Sequence, residues 1–258
     1  MNIKYFNVFV AVMSVVLLTS VSVCASETDE RIESSAKKSY VFKTYLKDDS
    51  IKTQSKDGFV TLMGTVKEES HKLLAQETVA SLPGVKNVDN QLILAEAPPT
   101  ENSDGWISMQ VKYSLLYNRH VSGTDTQVFV TDGIVTLKGE ARNRAQKDLA
   151  GAYAKDVNGV KGVKNEMTIA QIPSEPTQTI GDKIDDASIT AQVKIALLFH
   201  HSTSILKTGV ETMDGIVTLS GKTSTAAGKD MAGKVASDVN GVTKVINNMT
   251  IVEVLTMK

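Results

Sequence analysis

The chain has 258 residues, 41% of them hydrophobic and 22% charged, which is the composition of ordinary soluble globular units. Its net charge of −1 gives no global attraction for a polyanion, so no nucleic-acid partner is expected. A single cysteine, Cys24, rules out a disulfide within the chain.

At the N-terminus, Asn2 and Lys4 precede an apolar run from Phe6 to Leu18, followed by Thr19, Ser20 and the exit Val23-Cys24-Ala25. This layout predicts a secretory signal over residues 1–25, cut after Ala25, and with it a periplasmic address. The apolar run is shorter than the ~20 residues of a spanning helix, which counts against an uncleaved anchor. A lipid anchor through Cys24 is the other alternative, although Val23 stands where a small residue is usual. Cleavage after Ala25 leaves no thiolate nucleophile and no cysteine-based zinc site.

Beyond the leader a glycine pattern occurs three times. Asp57-Gly58 is followed by Gly64 and Gly84, Asp132-Gly133 by Gly139 and Gly159, and Asp214-Gly215 by Gly221 and Gly241. The gaps are six and then twenty residues in every copy, and Asn90, Asn165 or Asn247 closes it twenty-six residues after the second glycine. Fixed spacing marks an array of one small domain. Two polar, proline-bearing stretches, 97–103 and 172–179, read as linkers. The units are then 30–96, 104–171 and 180–254.

Each unit opens on a helix-permissive run: Val41, Phe42, Tyr45 and Leu46 in unit 1; Trp106, Ile107, Met109, Val111, Tyr113, Leu115 and Leu116 in unit 2; Ile189, Val193, Ile195, Ala196, Leu197 and Leu198 in unit 3. A short strand follows, then the Asp-Gly turn of a hairpin, then an alternating strand such as Ile134 to Lys138. The second helix carries Ala75, Val79 and Leu82; Ala150, Ala154 and Val157; or Ala232, Ala236 and Val239. Gly84, Gly159 and Gly241 stand just past its end, where a left-handed cap is expected. A last strand, such as Val160 to Ile169, completes the order α-β-β-α-β. The fold class is therefore α+β: three tandem small domains, each a three-stranded sheet packed on two helices.

With these residues in view, the chain resembles the BON domain family, whose pattern is D-G-x-V-x-L-x-G, a helix, then V-x-G-V-x-x-V-x-N. Unit 2 carries Asp132-Gly133-Ile134-Val135-Thr136-Leu137-Lys138-Gly139 and Val157-Asn158-Gly159-Val160-Lys161-Gly162-Val163-Lys164-Asn165. Unit 3 repeats the form over 214–221 and 239–247. Unit 1 departs at Leu82 and Met63, and its first connection reads as five residues shorter. The resemblance implies a non-catalytic module of bacterial envelopes, linked to osmotic stress and to binding phospholipid surfaces. The implied partners are an anionic phospholipid surface or, alternatively, envelope proteins served by a multivalent scaffold or chaperone-like array. No cofactor and no small-molecule substrate are implied, and the oligomeric state stays open.

The residues themselves offer little for catalysis. His71, His120, His200 and His201 do not pair at i, i+4 on one helix, and His200 and His201 read as solvated residues at a helix end. The aspartates before Gly58, Gly133 and Gly215 are explained by turns, and the nine repeated glycines by the fold. No catalytic or metal-binding residue is expected. A membrane-facing patch is the sharper reading: Trp106 with Ile107, Met109, Lys112 and Tyr113, an amphipathic aromatic with positive charge nearby. The alternative is that Trp106 packs on its own sheet. Ser188 at its equivalent in unit 3 shows that the fold itself demands no large residue there.

Overall fold

The computed structural model describes residues 20–97, 99–121, 126–170, 184–200, 203 and 208–252, with side chains from residue 27 onward. Residues 1–19 of the leader reading, the linker at 172–179 and His201 lie outside the described residues. Unit 1 comprises α1 (Ser20–Lys38), α2 (Tyr40–Thr44), β1 (Ser50–Lys56), β2 (Phe59–Val66), α3 (Glu69–Ala80) and β3 (Asn87–Leu94). Unit 2 comprises α4 (Asp104–Leu116), β4 (Gln127–Thr131), β5 (Ile134–Lys138), β6 (Glu140–Ala141), α5 (Arg144–Lys155), β7 (Gly162–Asn165) and β8 (Thr168–Ile169). Unit 3 comprises α6 (Asp186–Phe199), β9 (Thr208–Met213), β10 (Ile216–Thr223), α7 (Ala226–Ser237), β11 (Lys244–Asn247) and β12 (Thr250–Ile251).

In every unit the second strand lies in the middle of the sheet. It pairs antiparallel with the first through a hairpin and parallel with the last through the second helix. Alternation turns Val60, Leu62 and Val66 of β2 inward, while Phe59 on the same strand is exposed. The helices cover one face of each sheet, so the other stays open.

Each hairpin turn is fastened by an aspartate that the glycine pattern does not reveal. Asp29 accepts from the amides of Asp57 (2.7 Å) and Gly58 (3.0 Å). Asp104 does the same for Asp132 and Gly133 (2.8 and 2.9 Å), and Asp186 for Asp214 and Gly215 (2.8 and 2.9 Å). Both turn residues have positive φ (55° and 81° at Asp57 and Gly58), the primed geometry that matches strand twist. Their amides point away from the ladder, toward the first helix, and a carboxylate with two acceptors serves both. The Ser55 hydroxyl and these amides hold the Asp29 carboxyl below its ordinary value of 3.8. Its contribution is thus full above that pH and is lost as pH falls through the lower folded value.

This aspartate corrects the reading of unit 1. Asp29 precedes Asp57 by 28 residues, the same offset as Asp104 to Asp132 and Asp186 to Asp214. The first connection is therefore not shortened. The equivalent helix is α1, whose Ile32 matches Ile107 and Ile189, and the run from Val41 forms only the short α2. Ser39 separates the two helices, its hydroxyl accepting from the Phe42 amide at 3.3 Å.

The other repeated residues have mechanical roles. A Cβ on Gly64 would lie 1.9 Å from the Ser50 carbonyl oxygen, so only glycine lets β1 and β2 close there. Gly84, Gly159 and Gly241 do not sit at the first position past the second helix. Each lies three residues farther on, in a β-turn closed by Val85 to Leu82, Val160 to Val157 or Val242 to Val239 at 3.2–3.3 Å. The closing asparagines bolt the last strand to the second helix. Asn165 donates to the Lys147 carbonyl (2.6 Å) and accepts from the Met167 amide (3.3 Å), and Asn90 and Asn247 repeat both bonds.

The three units pack together rather than hanging on their linkers. α6 presents Ile189, Val193 and Leu197 to the core of its own unit, and Ala187, Ala191 and Ile195 to the core of unit 1. The two triplets are offset by two residues, about 200° around a helix, so they occupy opposite faces. Nine of its fourteen residues are buried, which identifies it as an internal helix.

Two outcomes follow from this packing. Asp104→Ala leaves the amides of Asp132 and Gly133 without their acceptor and should lower unfolding free energy in denaturant by about 1–3 kcal/mol. Ile195→Ala should cost about 2–5 kcal/mol. It should also weaken hydrogen-exchange protection in β2 and α3 of unit 1, although Ile195 belongs to unit 3.

Candidate functional site

The five residues expected to face a membrane do not share one surface. Ile107 is buried against Gly159 and the unit 2 core, and Tyr113 is buried with its hydroxyl donating to Glu68 at 2.7 Å. Trp106 is half-buried against the unit 2 core, where the Ser103 hydroxyl caps its amide at 3.2 Å. Only Met109 and Lys112 face outward, into a groove shared with Lys67, Glu68, Glu69 and Glu96. Ile107 and Tyr113 therefore drop out of any surface reading, because helix α4 turns that side toward its own sheet and unit 1.

Ser188 has a local reason for its size. It is fully buried where α6 meets unit 1, and its hydroxyl receives the Val41 amide at 3.1 Å while donating to Asp185 at 2.8 Å. Asp185 caps α6 through the Ser188 amide (2.9 Å) and accepts the Tyr40 amide of unit 1 (2.8 Å). Lys194 and Glu77 add an ion pair at 2.7 Å across the same contact. A tryptophan in place of Ser188 would collide with α2. The small residue thus reports a contact between units and carries no information about Trp106.

Units 2 and 3 meet through backbone as well as side chains. The Arg119 amide donates to the Asp238 carbonyl (2.8 Å), and the Asn240 amide donates to the Tyr117 carbonyl (3.2 Å). Arg119 Nη2 reaches the carbonyls of Val239 and Val242 at 2.7 and 2.5 Å, and the Tyr153 hydroxyl bonds Asp238. His200 Nε2 lies 2.9 Å from Asp156, and His71 Nδ1 lies 2.6 Å from Asp49 within unit 1. Both rings are largely shielded, which for His200 corrects the expectation of a solvated residue at a helix end. Among the described residues no group of three or more His, Cys, Asp or Glu could hold a metal ion.

Aromatic rings fill the place where all three units touch. Tyr45 of unit 1 meets Tyr117 of unit 2 edge-on at 5.3 Å, and Tyr113 of unit 2 meets Phe199 of unit 3 at 5.0 Å. Burial pushes the hydroxyls of Tyr45, Tyr113, Tyr117 and Tyr153 well above the ordinary 10. The Tyr117 hydroxyl is buried and has no hydrogen-bond partner among the described residues.

The open sheet faces carry the exposed apolar groups. Phe59 is 57% exposed with Lys86 Nζ 5.9 Å from its ring centre, and Phe129 is 53% exposed with Lys138 Nζ at 5.8 Å. In unit 3, Ile216 is flanked in register by Met213 on β9 and Lys244 on β11. Each unit thus shows a large apolar side chain beside a lysine on the same face.

Neutral tyrosines at the junction set an alkaline limit. Above pH 10 the unfolded chain ionises these hydroxyls while the folded chain keeps its protons, so stability falls as pH rises. Tyr117→Phe should flatten that fall in a pH series of denaturant melts. At neutral pH it should leave stability equal or higher, because it removes a buried, unpartnered hydroxyl.

The sequence model of the BON domain matches residues 28–96, 103–171 and 185–253. Over 146 residues the chain is 30% identical to the osmotically-inducible protein Y of Escherichia coli strain K12, covering 57% of this chain and 71% of that one. It is 30% identical to a 21 kDa hemolysin of Actinobacillus pleuropneumoniae over 117 residues, 45% of this chain and 60% of that one. It is 33% identical to the outer membrane lipoprotein DolP of Haemophilus influenzae over 115 residues, 45% of this chain and 56% of that one. With three matches that together span most of its length, each on one α-β-β-α-β unit, this chain belongs to the BON domain family.

Proposed function

We propose that this protein is an exported, non-catalytic component of the bacterial envelope, active in osmotic stress, whose units bind anionic phospholipid surfaces. The observation that carries the membrane reading is the repeated pair on the open sheet faces: Phe59 with Lys86, Phe129 with Lys138, and Ile216 with Lys244. An exposed apolar group enters the acyl boundary while an adjacent ammonium stays among the headgroup phosphates. With a net charge of −1, attraction to lipid has to be local, and these lysines supply it.

The envelope address draws on the relatives' names, one an osmotically-inducible protein and one an outer membrane lipoprotein. Export draws on the leader layout of residues 1–25. A cut after Ala25 would also leave the first helix starting close to Asp29, matching α4 and α6, which begin at Asp104 and Asp186.

Flotation with phosphatidylglycerol-containing vesicles tests this. Binding should be present at low salt, weaken as salt rises, and weaken by about 2 kcal/mol in the double variant Lys86→Gln, Lys138→Gln. Trp106→Ala distinguishes the half-exposed start of α4 from the sheet faces, since only involvement of α4 makes that variant float less. A wild-type chain that stays with the soluble fraction at low salt overturns the reading.

A further inference from the structure

A second basic surface lies at the seam of units 2 and 3. There a groove of about 340 Å³ is lined by Arg119, His120, Arg142, Asn143, Gln146 and Leu149. Two of these side chains are permanently cationic, and no carboxylate lines the groove. Two acids lie near the groove without lining it. Asp238 takes the Tyr153 hydroxyl and lies 3.9 Å from His120 Nε2, and Asp148 pairs with Arg144 at 3.8 Å.

Arg119 is held in place rather than loose in solvent. Its backbone is tied to Asp238 and its Nη2 to two carbonyls of unit 3, which leaves Nε and Nη1 without a partner among the described residues. The groove also receives the N-terminus of the twelve-residue α5. There the Asn143 side chain caps only the Gln146 amide, at 2.8 Å, and the first-turn amides of Arg144 and Ala145 have no acceptor within the helix. Two guanidinium groups and a helix start converging in a groove whose lining holds no carboxylate match a compact, doubly charged oxyanion.

We propose that this groove binds the phosphate of a phosphomonoester, either free in solution or as the headgroup of phosphatidic acid. A dianion can be shared by Arg142, through paired N–H groups, and Arg119, through a single free N–H because its Nη2 is held by unit 3, with the α5 amides on a third oxygen. The place is specific to unit 2. At the positions of Asn143 and Arg144, unit 1 has Glu68 and Glu69, and unit 3 has Thr225 and Ala226. This site is separate from the sheet faces and stands if those prove not to touch lipid.

The test is a titration of the full chain with inorganic phosphate, followed by the amide resonances of Ala145 and Gln146. A saturable shift at millimolar phosphate is expected, weakened at least about tenfold in Arg142→Gln through loss of a charged donor. It should be unchanged in Arg144→Gln, whose guanidinium lies outside the groove. Arg142 is exposed and ties no units together, so its replacement leaves the fold intact, as a circular dichroism melt would verify. Flotation with phosphatidic acid vesicles that depends on Arg142 and is competed by inorganic phosphate identifies the headgroup as the source. A phosphate shift without such flotation identifies a soluble phosphomonoester. No saturable shift, or one equally strong in Arg142→Gln, overturns the site.

Discussion

The two-sided burial of α6 is the constraint on which the rest of the molecule depends. A helix ordinarily buries one stripe and wets the other, but here both stripes are apolar and each completes a different core. Unit 1 has its own sheet and helices, yet its cluster is closed by Ala187, Ala191 and Ile195 from far along the chain. Small alanines let the helices approach closely, and Asp185 and Ser188 bond the Tyr40 and Val41 amides at the edge of the contact. The three units consequently share one packed body, a point that the proline-bearing linkers read from the sequence left open.

Within each unit a few polar side chains fix how the elements meet. The helix aspartate holds the hairpin turn, and the closing asparagine holds the last strand against the second helix. These bonds lie between elements rather than within them, which explains why the spacing is so strict. An inserted residue would move the carboxylate or amide off its target, and the backbone groups it holds would lose that partner. A chain built this way draws its stability from packing and hydrogen bonds, consistent with its single cysteine.

The candidate surfaces were legible to different degrees. Trp106 stands out in the sequence as the only tryptophan, but its neighbours Ile107 and Tyr113 are turned inward by the helix they share. Phe59 and Phe129 follow directly from strand alternation, since they fall on the outward phase of strands whose inward phase is Val60 and Leu62 or Val128. The groove at Arg119 and Arg142 had no signal at all, because its walls come from segments 23 residues apart and its shape depends on a third segment in unit 3. Shielding of His71 and His200 was likewise invisible, as Asp49 and Asp156 meet them only after packing.

The sequence by itself determined the number of units, the α-β-β-α-β order, the turns at Asp-Gly and the family. Those features follow from local periodicity, from glycine at positive φ and from spacings that repeat within one unit. It misplaced the first helix of unit 1, because the apolar run from Val41 resembles an opening helix while the true marker is a polar residue, Asp29, defined by its distant hydrogen bonds. Only the tertiary structure decided which apolar stripes face a core, which face another unit and which face solvent. Hydrophobicity is not directional, so a chain can state that Ala191 and Ile195 will be buried without stating against what.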